Sequence, residues 1–156
     1  MNKFIKTLIK EKKIQLVEIS ENIVESYINK SNDSIKSGNI LHNSNLYDNS
    51  VSMSYYSMYH ITLALLFRVG IKCENHTGVI VLLDEFFQEK ELSKKLKFAK
   101  KERVDKQYYA DHKTLAQESE NMLELSKIYT TKIKSLIENI TNNKAQEIKN
   151  KLIEYQ

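Results

Sequence analysis

The clearest hydrophobic pattern in the chain is a long uncharged stretch between Asp48 and Gly70. From Asn49 to Phe67 no residue is Asp, Glu, Lys or Arg, and apolar side chains would cover most of a helical circumference. Asp48 before the stretch, and Arg68 and Gly70 after it, have the order expected of a helix, with an acid first and a cation and glycine last. The pattern predicts a central helix of roughly 33 Å that is packed on several sides. The side chains expected inside are Tyr55, Tyr59, Leu63, Leu66 and Phe67.

Small side chains recur along one side of this helix, where a neighbouring helix could approach closely: Ser54, Ser57, Ile61 and Ala64. A membrane span is the competing interpretation, because the uncharged stretch is long enough in principle. However, four serines, three tyrosines, a threonine and a histidine make it too polar for lipid. The chain also shows no second span and no signal-peptide pattern, so we expect no membrane association.

Amphipathic patterns before the central stretch predict two further helices. Lys3 to Lys13 has the pattern of a short basic amphipathic arm that docks on its own bundle or on a second subunit. Ser20 is a cap candidate for a long helix to about Asn45, and a short connection then makes this helix antiparallel to the central one. Its predicted core positions are Ile23, Tyr27 or Ile28, Ile35 and Leu41.

Three helical patterns follow the central stretch. After Gly70 the residues IKCENH are interpreted as a polar turn, and Asn75 as the cap of a helix whose buried face holds Val79, Ile80, Leu82, Leu83, Phe86 and Phe87. Thr114 and Gln117 form a capping-box pattern at the start of a last long helix to Ile140. Its core stripe is Met122, Leu125, Tyr129, Ile133, Leu136 and Ile140. Asn142–Asn143 interrupts the pattern before a short amphipathic tail.

Together these patterns predict an all-α fold, an up-and-down antiparallel bundle of four to five helices. A chain of 156 residues with no proline and three glycines favours a few long helices in one domain. We expect an N-terminal basic amphipathic arm at residues 1–19, the helical bundle at residues 20–140 and a C-terminal helical tail at residues 141–156.

Composition narrows the chemistry only slightly. The single cysteine, Cys73, excludes an internal disulfide and a metal site built from cysteines, and fits a reducing cytoplasm, so we expect a cytoplasmic protein. The formal net charge of +4 is compatible with an RNA or nucleotide partner. Glycine-rich phosphate loops, His-x-x-x-His pairs and CxxC motifs are absent from the sequence. We therefore expect no metal and no cofactor.

The residues from Gln88 to Lys106 form a basic segment. Eight cations stand there against four acids, an excess equal to the net charge of the whole chain. Three aromatic residues, Phe98, Tyr108 and Tyr109, lie in or beside the segment. We expect its lysines to face solvent, and its candidate residues for RNA or nucleotide binding are Lys100, Lys101, Arg103, Lys106 and Tyr108.

The four histidines have different expected roles. His42, on a polar helix end, is expected to be solvated, and His60, within the apolar helix, to be buried, hydrogen-bonded and neutral. His76 lies beside the predicted cap of the helix after Gly70, where a turn role and a site role are equally open. His112 is the best placed for acid–base chemistry because it lies close in sequence to Arg103.

The chain has only two arginines, Arg68 and Arg103, and otherwise carries its positive charge on lysine. Arg68 is explained by the dipole at the end of the central helix. Arg103 lies within the basic segment, and arginine binds phosphate in a bidentate manner. Its structural alternative is an ion pair with Glu102, Asp105 or an acid on a neighbouring helix.

The sequence LYDNSVSMSYYSMYHITLALLFRVGIKCENHTGVIVLLDEFF resembles the HEPN domains of bacteria and archaea. The similarity is to small free-standing members with an S-x-x-x-YY-x-M/L-[FY] helix, an ALL-x-x-x-G-I turn and a histidine before the third helix. It continues at FAKKERVDKQYY, where these members carry an arginine followed by an acid and tyrosine. The resemblance covers roughly Ser20 to Ile140.

This resemblance implies a helical bundle, frequent homodimerisation and a role beside a minimal nucleotidyltransferase, often as the toxin of a toxin–antitoxin pair. It also implies a metal-independent ribonuclease, in which Arg binds phosphate and a His, separated from it by four to six residues, moves protons as a ribose 2′-hydroxyl attacks. In this chain Tyr108 and Tyr109 follow Arg103 at that spacing, and the first histidine is His112.

Two functions therefore stay open at this point, with a purely structural scaffold that presents a basic face as a third interpretation. The first is a ribonuclease toxin whose candidate catalytic residues are Arg103, His112, Tyr109 and His76. The second is a partner subunit of the nucleotidyltransferase that binds nucleotide or RNA without cutting it. For both we expect Arg103 to face a groove shared with Tyr109 and His112.

Overall fold

The computed structural model describes residues 2–111 and 113–155 of the chain. Within these residues there are seven helices and one two-stranded sheet. The elements are α1 (Lys3–Lys10), β1 (Ile14–Leu16), α2 (Glu21–Asn43), α3 (Tyr47–Arg68), β2 (Ile71–Cys73), α4 (His76–Glu85), α5 (Lys90–Tyr108), α6 (Ala116–Asn139) and α7 (Asn142–Ile153). The predicted helical class is confirmed, but the described helices number seven rather than four or five. His112 lies outside the described residues.

The uncharged stretch forms α3, the helix around which the others pack. The side chains expected inside are all buried: Tyr55, Tyr59, Leu63, Leu66 and Phe67. Helices α2, α5 and α6 contact α3 from different sides, so its apolar circumference is covered by protein. In the part of the chain that the structure describes, no helix has the length and apolarity that a membrane span requires.

Helix α2 packs against α3 through small side chains. The Ser31 hydroxyl donates to the Ser57 carbonyl at 2.7 Å, and the Ser50 hydroxyl donates to the Gly38 carbonyl at 2.8 Å. These pairs confirm that the two helices run antiparallel. The prediction that Ile23 lies on the buried face is wrong, because its side chain is 40% exposed. Small residues define the packed face because they allow the two backbones to come close together.

The two ends of α3 differ in how well the sequence predicted them. Leu46, not Asp48, is the residue before the first helical position. Asp48 lies in the first turn, where it accepts a hydrogen bond from the Thr114 hydroxyl and so fixes the segment that precedes α6. At the other end Gly70 has a φ of +73°, a conformation that glycine adopts without a steric penalty.

The segment interpreted as a polar turn after α3 is instead partly a strand. β2 pairs antiparallel with β1, so that Ile14 lies opposite Cys73 and Leu16 opposite Ile71. The sheet holds the segment before α2 against the chain that leaves α3. It therefore fixes the point at which α4 begins.

Helix α4 begins as predicted from the Asn75 cap. The Asn75 side-chain oxygen accepts a hydrogen bond from the Gly78 backbone N–H at 2.8 Å. Helix α1 packs on this turn, with Ile5 and Leu8 buried. A Cβ on Gly78 would lie 2.7 Å from the Leu8 Cδ1 atom, which indicates how closely the two segments approach. The N-terminus of α4 is therefore held on two sides.

The start of α6 differs from the predicted capping box. The helix begins at Ala116, because Thr114 bonds to Asp48 instead of capping the first turn. The cap interaction comes from Glu118, whose side chain accepts a hydrogen bond from the Leu115 backbone N–H at 2.8 Å. A break follows α6 as predicted, but it lies at Ile140 and Thr141 and not at Asn142–Asn143, which are the first residues of α7. Thr141 caps α7 by accepting from the Lys144 N–H at 3.2 Å.

Candidate functional site

Three helices bring the polar chemistry of the chain together at one place, which we call the Arg103–His76 site. Helix α3 contributes Tyr55 and Tyr56, the N-terminus of α4 contributes His76, and α5 contributes Lys100 and Arg103. Each element is held by features already described: the core packing of α3, the Asn75 cap of α4 and the contacts of α5 with α3 and α4.

Arg103 lies over two aromatic rings of α3. Its Cζ atom is 5.1 Å from the centroid of the Tyr55 ring and 5.5 Å from that of Tyr56. Its Nη1 donates to the Tyr56 hydroxyl at 3.1 Å and to the Gln107 side-chain oxygen at 3.2 Å. Its Nε is buried and has no hydrogen-bond partner among the described residues. The guanidinium is thus fixed in place, with Nη1 bonded to two side chains and Nε enclosed by protein.

His76 occupies the first position of α4, where it packs against the tyrosines of α3. Its ring lies parallel to that of Tyr59, with the centroids 4.1 Å apart and an interplanar angle of 2°. Its Nδ1 is 2.5 Å from the Tyr55 hydroxyl. Burial raises the pKa of Tyr55, so this phenol keeps its proton and can serve as a hydrogen-bond partner throughout the physiological range.

The charge state of His76 is set by its surroundings. Burial lowers its pKa below the usual 6.5, and the positive charges of Arg103 and Lys100 lower it further. The imidazole is therefore neutral at pH 7 and able to accept a proton. Both cations lie near His76, since Lys100 bonds to the adjacent Thr77 and Arg103 lies over the same Tyr55 ring whose hydroxyl contacts His76.

Lys100 completes the positive end of the site. Its Nζ donates to the Thr77 hydroxyl at 2.7 Å, one residue beyond His76. Burial and the charge of Arg103 lower the pKa of Lys100. Two neighbouring cations that disfavour each other's charge are stabilised by an anion placed between them.

The remaining predicted residues are placed differently. Lys101 faces solvent as expected, whereas Lys106 is buried and lies 3.2 Å from Glu102 and 3.0 Å from Glu118. The expectation that all lysines of the basic segment face solvent is therefore wrong at Lys106, because two carboxylates hold its ammonium group inside. Tyr108 and Tyr109 are 69% and 62% exposed.

In the described part of the chain, Arg103 makes no contact with Tyr109, one of the two residues expected beside it. No hydrogen bond, ion pair or ring contact joins it to Tyr109 within residues 2–111 and 113–155. The expected contact with His112 lies outside the described residues. Sequence reasoning missed Tyr55 and Tyr56 as site residues and treated Tyr55 only as core. The signal available in the sequence was the adjacent pair Tyr55 and Tyr56. Adjacent residues on a helix project in different directions, so both tyrosines could not serve the same patch of core and one was available for another contact.

Two other histidines differ from expectation. His42, expected in solvent, lies 2.9 Å from the Ser119 hydroxyl through its Nδ1. His60 packs against the rings of Tyr56 and Tyr27, and burial lowers its pKa, so its neutral state agrees with the prediction. The Lys30 backbone offers this ring the expected hydrogen bond, but its Nδ1 has no partner in the described part of the chain. Over the same residues, no three His, Cys, Asp or Glu side chains are grouped as metal ligands.

Comparison with known proteins identifies the family of this chain. The chain is 36% identical over 74 residues to the protein of Methanocaldococcus jannaschii named "Putative toxin MJ0142", a match that covers 47% of this chain and 50% of that protein. The chain thus spans about half the length of that relative. The family model described as "HEPN domain" matches residues 24–148, which include every residue of the Arg103–His76 site. The chain belongs to the HEPN domain family.

Proposed function

We propose that this chain is a toxin-type HEPN protein that binds RNA at the Arg103–His76 site and cleaves it by acid–base chemistry of its side chains. The observation that carries the proposal is an arginine fixed over Tyr55 and Tyr56, beside a histidine that contacts the same Tyr55 and is held neutral at pH 7. A phosphate diester needs such a cation for its non-bridging oxygens and such a base for the attacking hydroxyl. The relative named as a putative toxin supports the same class of function.

In the proposed reaction the ribose 2′-hydroxyl attacks the adjacent phosphorus. His76 accepts the proton of this hydroxyl at Nε2, while its Nδ1–H donates to the Tyr55 hydroxyl. Arg103 donates to the non-bridging oxygens, on which negative charge increases in the transition state. The bond from phosphorus to the 5′-oxygen breaks, and the Lys100 ammonium, whose pKa is lowered, gives a proton to that leaving oxygen. The products are a 2′,3′-cyclic phosphate and a 5′-hydroxyl.

A second candidate is a subunit that holds RNA or a nucleotide without cutting it. The observation in its favour is Tyr108, which stands five residues after Arg103, where the family's ribonuclease signature has histidine. Either function is compatible with the partners that the family resemblance implies: a second copy of the chain and a minimal nucleotidyltransferase acting as antitoxin. Both partners remain predictions.

Incubation of the purified protein with an RNA transcript, with and without a chelator, distinguishes RNA cleavage from RNA binding without cleavage. Under the proposal the chelator has no effect, and the products carry 2′,3′-cyclic phosphate ends that mass spectrometry detects. Arg103→Ala should abolish cleavage, Arg103→Lys should restore only part of it, and His76→Ala should slow it by about 10²–10⁴-fold. Lys36→Ala, which removes an exposed lysine of α2, is the control and should cleave normally.

Three outcomes decide between the candidates. Cleavage that persists in Arg103→Ala contradicts the proposal. Binding without products, weakened by Arg103→Ala and with a salt dependence reduced by about one charge, supports the second candidate. An Arg103→Ala protein that loses its cooperative melting transition shows instead that the arginine is structural.

A further inference from the structure

Helix α5 carries an exposed aromatic side chain outside the Arg103–His76 site. The phenyl ring of Phe98 is 51% exposed, whereas Leu92, Leu96 and Ala99 on the other side of the helix are buried. Phe98 lies in a groove of about 510 Å³ that we call the Phe98 groove. The other residues that line it are Lys94, Lys97, Lys100, Lys101, Val104 and Asp105.

The charges around the Phe98 groove favour an anionic ligand. Four of its lining side chains are lysines and one, Asp105, is an acid. Lys94 pairs with Glu91 at 2.8 Å, but Lys97 and Lys101 make no hydrogen bond or ion pair within the described part of the chain. Lysine stems add apolar surface beside the phenyl ring, while their ammonium groups remain available to phosphates.

The Phe98 groove is continuous with the Arg103–His76 site through one side chain. Lys100 lines the groove and also bonds to Thr77, the neighbour of His76. Phe98 and Arg103 are five residues apart on α5, about 7.5 Å along the helix axis but about 140° around it, so they lie on different faces of the helix. A strand that connects them must pass over Lys100 and needs several nucleotides to do so.

We propose that the Phe98 groove stacks an unpaired base of the strand whose phosphate is bound at the Arg103–His76 site, so that the ligand is single-stranded RNA. This inference rests on the proposed function. An exposed aromatic face flanked by lysines is how proteins bind single strands, since every base has a face that can stack and every linkage has a charge. A base inside a duplex is covered by its neighbours and cannot stack on Phe98.

Binding is measured by fluorescence anisotropy with a labelled oligonucleotide of 2′-O-methyl ribose, which lacks the attacking hydroxyl and stays intact. The single strand should bind more tightly than the duplex of the same sequence. Phe98→Ala should weaken single-strand binding by about 5- to 150-fold, the change in Kd that a lost base–aromatic stack produces. Phe98→Tyr should bind like the parent protein, and Phe98→Leu should bind like Phe98→Ala.

Ile128→Ala is the matched control, because Ile128 is a similarly exposed apolar side chain, 45% exposed, on α6. It should leave the Kd unchanged. Since Phe98 is half exposed, Phe98→Ala should also keep the melting temperature of the parent protein. A Phe98→Ala protein with unchanged affinity overturns the stacking proposal, as does a duplex that binds as well as the single strand.

The remaining outcomes separate this inference from the function on which it rests. If Arg103→Ala weakens binding and Phe98→Ala does not, the proposed function stands and the Phe98 groove is not part of it. If neither variant weakens binding, both proposals fall. If Phe98→Leu binds like the parent protein, the groove recognises apolar surface rather than a base, which overturns stacking and favours an acidic protein segment as its occupant.

Discussion

Lowering the pH from 7.5 to 5.5 is expected to destabilise the fold through two histidines. Burial lowers the pKa of both His60 and His76 in the folded chain, and nearby lysine or arginine charges add to the effect at each. In the unfolded chain both groups return to a pKa of about 6.5. Below that pH the unfolded chain therefore binds protons that the folded chain excludes.

The magnitude follows from this difference in bound protons. One proton bound only by the unfolded state changes the free energy of unfolding by about 1.4 kcal/mol per pH unit. Two such groups limit the slope to about 2.7 kcal/mol per unit, an upper bound because both rings are partly exposed to solvent. The stabilisation is complete above pH 6.5, decreases as the pH falls through the two folded-state pKa values, and is absent below them.

Urea unfolding at half-unit pH intervals measures this slope. His60→Gln and His76→Gln should each reduce the slope of unfolding free energy against pH by the contribution of one histidine. Arg103→Ala should also flatten it without removing a histidine, because the loss of a nearby positive charge raises the pKa of His76. Lys101→Ala, which removes an exposed cation of the same helix, is the control. If His60→Gln, His76→Gln and Arg103→Ala all keep the slope of the parent protein, as the control should, the electrostatic description of the site is wrong.

Four further predictions concern packing and assembly. Leu63→Ala removes a core side chain of α3 and should lower the free energy of unfolding by about 2–5 kcal/mol in urea denaturation, and a change near zero would contradict the central position of α3. Tyr129→Phe removes the hydrogen bond between Tyr129 and Thr62 and should lower the free energy of unfolding by about 0.5–1.5 kcal/mol in the same assay. The loss stays small because the Thr62 hydroxyl keeps its bond to the Met58 carbonyl. Lys106→Met removes the cation between Glu102 and Glu118 and should lower the free energy of unfolding by about 1–3 kcal/mol. The same variant should bind RNA with unchanged affinity, which would show that Lys106 has a structural role and not a binding role. Light scattering should give about twice the chain mass of 18.3 kDa, as expected for a homodimer, and a monomer mass at all usable concentrations would count against it.

The sequence predicted well those features that depend on neighbours along the chain. The absence of charge from Asn49 to Phe67 correctly indicated the most buried helix, because a charged side chain in such a position would have to be desolvated. The Asn75 cap was also correct, and the break after α6 was predicted within two residues of its position, because caps involve residues only a few positions apart.

Features that depend on distant parts of the chain were missed. β1 and β2 have three residues each, too few to show a strand pattern of their own. They are also far apart in the sequence, since β1 precedes α2 and β2 follows α3. The face of α2 was misjudged because Ser31 and Gly38 are buried in place of larger apolar residues. Lys106 was expected in solvent because lysine is rarely buried unless it is paired with acids. One of its two partners, Glu118, lies on another helix, so the sequence around Lys106 did not show the pairing.

The same reasoning explains why the candidate site could be predicted only in part. A basic segment with one arginine identified Arg103, but the segment alone did not show which residues the arginine contacts. Five residues along a helix rotate a side chain by about 500°, so Tyr108 projects about 140° away from Arg103, while Gln107 lies beside it. Within one chain the residue at the signature's histidine position therefore points away from Arg103, so the proposed reaction needs a base from another helix. His76 meets this need because α3 holds both groups through the ring and hydroxyl of Tyr55. Tyrosine at position 108 thus leaves acid–base chemistry at Arg103 available.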